Sequence, residues 1–190
     1  MNHMKSVLQN AVLLLIDIQK GFDDPKWGAR NNPQAEDNAG LLLSAWRRQK
    51  KPVIHIQHQS LIEGSVFQAG AVGSELKDVV RPNEGESVIT KNVNSAFIGT
   101  DLEQRLRESG YDTLIIAGMT TPHCVSTTTR MAGNLGFKAY LVADATAAFD
   151  LTGHDGVLHK AEIVHAVSLA TLNEEFATVI DTETVLAMLD

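Results

Sequence analysis

The chain holds one cysteine, Cys124, in 190 residues. No internal disulfide can form, which fits a reducing compartment. Basic residues are too few and too scattered to make a patch: 16 Lys and Arg stand against 23 Asp and Glu, for a net charge of -7. That balance excludes nucleic acid as the expected partner, because phosphate binding needs clustered cations. The longest apolar run, "AVLLLI", is far short of the roughly 20 residues a bilayer span requires, and "MNHMKSVLQN" lacks the apolar core of a signal peptide. A cytoplasmic location and a small-molecule partner are expected, with neither membrane nor nucleic acid involved. Repeats, low-complexity tracts and linkers are also missing, so a single domain over 1–190 is expected. A chain of this length can bury a sizeable core without disulfide or metal staples.

What is present is alternation. "AVLLLIDIQ" (11–19) is a near-continuous apolar run, as a central strand covered on both faces requires. "NAGLLLSAWRRQK" (38–50) reads as an amphipathic helix, "KPVIHIQHQ" (51–59) as a second strand and "SVIT" (87–90) as a third. "TDLEQRLRESG" (100–110) reads as a helix with a Thr100/Glu103 capping box and a Gly110 stop. "DTLIIAG" (112–118) is a fourth strand, 122–136 a helix with Pro122 in its first turn, and "FKAYLVAD" (137–144) a fifth strand. A helix near 157–175, a sixth strand "FATVID" (176–181) and a last helix capped by Thr182 complete the pattern. Strand and helix in this alternation define an α/β fold: a three-layer αβα, Rossmann-like, doubly wound sheet of six mostly parallel strands. The expected order is 3-2-1-4-5-6. No G-x-G-x-x-G follows the first strand and no Walker loop is present, so no nucleotide cofactor is expected.

Sheets of this kind bind ligands beyond the carboxyl ends of their strands, where the order reverses. The expected order places that point between strands 1 and 4. Strand 1 ends in Asp17, strand 3 in Lys91, and strand 4 leads through "MTTPH" into Cys124. Taken singly these are a strand-end carboxylate, a solvated lysine and a small core residue. Together they form a set suited to attack on a carbonyl: a desolvated carboxylate as proton shuttle, a cation and a thiol. A place at a helix start, near a lysine, favours the Cys124 thiolate and fast alkylation at neutral pH.

Three motifs carry a family resemblance along nearly the whole chain. "LLLIDIQKGF", "KNVNSAFIGTDLEQRLRESG" and "AGMTTPHCV" resemble the D-x-Q-x-x-F, K-x-x-x-S-A-F and G-x-x-T-x-x-C-V segments of the isochorismatase-like cysteine hydrolases, a family that includes nicotinamidases and N-carbamoyl amide hydrolases. The resemblance implies Asp17, Lys91 and Cys124 as catalytic residues. It also implies the backbone N–H groups of Thr120 and Cys124 as oxyanion donors, a cis Met119–Thr120 bond, and a homo-oligomer, dimer or higher. The implied activity is cleavage of a C–N bond in a small amide or carbamoyl compound through a thioester. The alternatives are vinyl-ether hydrolysis using Asp17, and a non-catalytic binding protein of the same fold.

The sequence departs from the nicotinamidases at their D-x-H metal site, where it reads "HIQHQSLIEG". His55 and His58 lie three apart on a strand and point to opposite faces. No metal site and no cofactor are expected. Phe22, Trp27, His58 and Phe97 are the candidate substrate-lining residues. His154 is a rim candidate in a loop, and His159 and His165 read as packing or surface residues.

Overall fold

The computed structural model describes residues 8–189. The first seven residues of "MNHMKSVLQN", and residue 190, lie outside the described residues. Six parallel strands form one sheet: β1 (Ala11–Ile16), β2 (Val53–His58), β3 (Ser87–Lys91), β4 (Thr113–Met119), β5 (Lys138–Ala147) and β8 (Thr178–Ile180). Their order is β3-β2-β1-β4-β5-β8, and β8 is the sixth strand of the expected pattern. Two short strands, β6 (Leu151–Thr152) and β7 (Leu158–His159), pair with each other as a separate antiparallel hairpin.

All residues of β1 are buried, and its side chains alternate between two cores. Leu13 and Leu15 pack against Leu42, Leu43 and Trp46 of α1 (Ala35–Arg48), with Val185 and Met188 of α5 (Thr182–Leu189) in the same cluster. Val12, Leu14 and Ile16 face the other way, toward Leu102 and Leu106 of α2 (Leu102–Glu108), Ala132 of α3 (Ser126–Asn134) and Leu172 of α4 (Ala161–Leu172). A strand sandwiched between two helical layers needs apolar residues on both faces, which is why the period-two alternation of a half-exposed strand is absent.

Several boundaries differ from the sequence pattern, each for a local reason. Thr100 accepts from the Leu102 N–H at 3.3 Å, but Glu103 pairs with Arg107 instead of closing a capping box. The helix expected at 122–136 opens as a π-type turn over Thr121–Val125 and becomes α-helical only at Ser126. There the Val125 N–H reaches back five residues to the Thr120 carbonyl, the bond that widens a helical turn. The helix expected near 157–175 starts at Ala161, whose N–H donates to Asp150 Oδ1 at 2.8 Å. The last helix is capped by Asp181, which accepts from the Thr184 N–H at 2.8 Å. Thr182 instead donates to Asp144.

A partly buried ion cluster fixes the segment after β1 to α1. Arg30 grips Glu36 with two bonds of 2.7 Å, and Lys77 joins Glu36 at 2.8 Å and Asp23 at 2.5 Å. Burial pushes the Glu36 carboxyl up, but Arg30 and Lys77 outweigh it and hold it at about 2, below its ordinary 4.5. A carboxyl depressed on folding stabilises above its unfolded pKa and loses that contribution as pH falls through the folded one. Glu36→Gln is therefore expected to lower Tm at pH 7. The deficit should shrink as pH falls from about 4.5 to about 2, and melting curves across that range check it. A deficit constant with pH would contradict this reading.

Candidate active site

The strand order puts β1 between β2 and β4, so the topological switch lies between β1 and β4. Asp17 follows the last residue of β1 with φ of +50°. Asp is among the few residues that tolerate this left-handed conformation, at a cost of order 1–3 kcal/mol. The turn lifts its carboxylate off the strand line while its N–H still donates to Ile56 at 3.0 Å. Across the switch, Gly118 approaches β1 so closely that a Cβ would lie 2.0 Å from the Ile16 carbonyl oxygen. Any side chain there would force β4 away from β1. After Gly118 the chain runs through a cis bond between Met119 and Thr120 into the turn that carries Cys124.

Lys91 closes β3 and is fully buried. Its Nζ donates to Asp17 Oδ2 at 2.6 Å and lies 3.3 Å from His58 Nδ1. Asp17 Oδ1 is buried and has no hydrogen-bond partner. Burial lifts the Asp17 carboxyl above the ordinary carboxylate range, with the Lys91 ammonium pulling the other way and the Cys124 thiol also contributing. Burial also pushes the Cys124 thiol up to about 12, with the Asp17 charge adding to the shift and Lys91 opposing it. Burial and the neighbouring carboxylate both favour the protonated thiol. The electrostatics run against the thiolate expected from the helix start: burial, then the adjacent carboxylate, oppose what a turn start and a lysine supply.

Of these groups Cys124 reaches a cavity of about 400 Å³, lined also by Thr120 and His58. Phe22 and Trp27 line it as expected. Phe97 does not: it stacks on Phe137 at 5.9 Å between centroids and packs against the core below α2. The aromatic wall is completed by Phe67 and Phe149, which the sequence reading missed. Phe22 lies 4.8 Å from Phe67, 5.5 Å from Trp27 and 6.1 Å from Phe149, centroid to centroid. Phe67 comes from the long segment between β2 and β3, and Phe149 from beyond β5. Neither sits in a motif, and only the fold brings them to Cys124. Phe67 can lie against the chain at Gly21 because a Cβ there would meet its ring at 2.6 Å.

The remaining histidines divide by environment. His55 is buried and bonded to Glu86 at 2.9 Å, away from the cavity. His154 is exposed, between the hairpin strands, and His159 is exposed on β7. His165 is neither simple packing nor surface: its Nδ1 lies 2.8 Å from Thr121 Oγ1, tying α4 to the Cys124 turn. Among the described residues, no cluster of three or more His, Cys, Asp or Glu could hold a metal ion, and no helix is long and apolar enough to cross a membrane.

A parallel sheet in this order, with a thiol, a carboxylate and a lysine at its switch point, defines an isochorismatase-like α/β hydrolase. The chain matches the isochorismatase domain over residues 11–184 and belongs to the isochorismatase family of hydrolases. It is 49% identical to the isochorismatase family protein YrdC of Bacillus subtilis, over 92% of this chain and 94% of that protein. It is 30% identical to nicotinamidase 3 of Arabidopsis thaliana, over 83% and 74% of the two chains. An isochorismatase-family crystal structure from Chromobacterium violaceum superposes with a TM-score of 0.92 at 47% identity, covering 94% of this chain and 93% of the other. A cysteine hydrolase from Pseudomonas syringae superposes with a TM-score of 0.86 at 25% identity, covering 95% and 92%.

Proposed function

We propose that the chain hydrolyses the C–N bond of a small, neutral amide or carbamoyl compound through a thioester on Cys124. The observation that carries this reading is the division of labour on Asp17. One oxygen is held by Lys91 and the other is buried without a partner, beside a thiol whose pKa burial and Asp17 raise. The free oxygen takes the proton as sulfur attacks the carbonyl carbon. The backbone N–H groups of Thr120 and Cys124 receive the oxyanion. Asp17 returns the proton to the leaving nitrogen, the C–N bond breaks, and the acyl group remains on sulfur. Water then attacks the thioester, with Asp17 accepting its proton and restoring the thiol. Lys91 keeps Asp17 ionised enough to act as a base despite its burial. Likeness to a nicotinamidase supports amide chemistry, and likeness to a cysteine hydrolase supports a cysteine nucleophile.

The aromatic wall gives the acyl side its character. Phe22, Trp27, Phe67 and Phe149 offer flat apolar surface. Lys91 is buried against Asp17, and the lysine that lines the cavity is Lys26. A flat, uncharged acyl group fits this wall better than a dianion. Phe149→Leu keeps an apolar side chain and removes the ring. Losing about 60 Å² of apolar contact at about 25 cal/mol/Å² raises KM about tenfold for an aromatic amide. An aliphatic amide should be little affected, and steady-state kinetics on the pair check it.

The test of the reaction class is ammonia release from a panel of small amides and ureides, with isochorismate as the vinyl-ether control. Ammonia from a neutral amide supports the proposal. Turnover of isochorismate alone would replace it with the vinyl-ether reading.

A further inference from the structure

His58 sits beside the Asp17–Lys91 pair, and the mechanism above does not use it. The β2–β3 register pairs His58 directly with Lys91, so their side chains leave the sheet together at its carboxyl edge. An ammonium has donors and no acceptor. The ring nitrogen 3.3 Å from Lys91 Nζ, Nδ1, must therefore present its lone pair, and the proton of the neutral ring lies on Nε2. The main chain of His58 is held on both sides by one buried side chain. Gln19 Oε1 accepts from the His58 N–H at 2.9 Å, and Gln19 Nε2 donates to the His58 carbonyl at 2.9 Å and to Ser74 at 2.8 Å. Phe67 stands edge-on to the ring at 6.1 Å.

We propose that His58 is a positioning residue that holds the Lys91 ammonium on the Oδ2 side of Asp17 and so keeps Oδ1 open to the thiol proton. The inference rests on the amide-hydrolase reading, in which Oδ1 is the working base. An ammonium tethered by Asp17 alone can swing to bridge both carboxylate oxygens, which blocks the base without breaking the ion pair. Nδ1 supplies a second, uncharged anchor that prevents the swing. Protonation of His58 would remove that anchor and set two cations side by side. At the ring stands Lys91 from β3, with Asp17 behind it from β1; the titratable groups that share the cavity with His58 are Lys26 from the segment after β1, Cys124 and His123 from the turn after β4, and Asp150 after β5. Burial first, then the Lys91 charge, holds His58 below its ordinary value, which keeps the anchor neutral.

The first readout needs no substrate. Two-bond ¹H–¹⁵N correlation spectra of the intact protein at pH 7 should show His58 neutral with its proton on Nε2; an Nδ1–H ring or an imidazolium overturns the proposal whatever the reaction proves to be. The second uses a hydrolysed amide. His58→Leu should lower kcat about 10- to 100-fold with KM little changed. His58→Asn, whose Oδ1 replaces Nδ1 as an acceptor that cannot titrate, should restore kcat to within about threefold and move the acid limb to lower pH. Full kcat in the Leu variant, or equal loss in both variants with an intact fold by circular dichroism, overturns it. If wild type releases no ammonia from any amide, the amide reading falls while the ring tautomer still decides the placement of Lys91.

Discussion

Cys124→Ser is expected to fold normally and lose at least about 10³-fold in kcat on any amide the wild type hydrolyses. The residue is half-buried in the cavity turn, and oxygen for sulfur is a small change in volume. The chemistry changes far more. A thiol pushed up to about 12 is still within reach of a raised carboxylate acting as base, whereas a hydroxyl in the same place is a much weaker acid and a weaker nucleophile. Cys124→Ala should be no better than Cys124→Ser. Initial rates of ammonia release from the three proteins check this, with circular dichroism confirming the fold.

Asp17→Asn separates two roles that move in opposite directions. Turnover should fall by about 10²- to 10⁴-fold, because the amide cannot take the thiol proton or return it to the leaving nitrogen. Alkylation of Cys124 should become faster. Burial and then the Asp17 charge raise the thiol while Lys91 lowers it, so removing the carboxylate leaves burial alone against the lysine and increases the thiolate fraction. In wild type, iodoacetamide at pH 7 should react more slowly than with a free thiol of pKa about 8.5. A variant slower in both assays would mean that Asp17 and Cys124 are not electrostatically coupled.

The parts of this site that were legible in the sequence are those tied to strand ends. Asp17 interrupts an apolar run, Lys91 closes a short one, and Cys124 follows a strand and a glycine. Strand order was expected from the doubly wound pattern, and the structure has the expected order. The aromatic wall was only half legible. Trp27 and Phe22 stand close to the first motif, but Phe67 and Phe149 arrive from segments without periodicity. Phe97 lies in a motif yet turns into the core. Sequence proximity to a catalytic residue says little about which side of the sheet edge a ring will face. The forces on the thiol were only partly legible for a related reason. A helix start is a local feature that a sequence displays, whereas desolvation by the packed surroundings is a property of the whole fold. The two-residue strands β6 and β7 are too short to leave a pattern, and the helix after them was read as too long in consequence.

The central claim is a covalent bond to Cys124, and intact-mass spectrometry tests it most directly. Enzyme in molar excess over a hydrolysed amide would be quenched in acid over a time series. The account predicts a transient mass increase equal to the acyl group, mapped to the peptide containing Cys124, which rises with ammonia release and decays as the free acid appears. Ammonia formed at the same rate by Cys124→Ala, with no adduct on the wild-type protein, would contradict it.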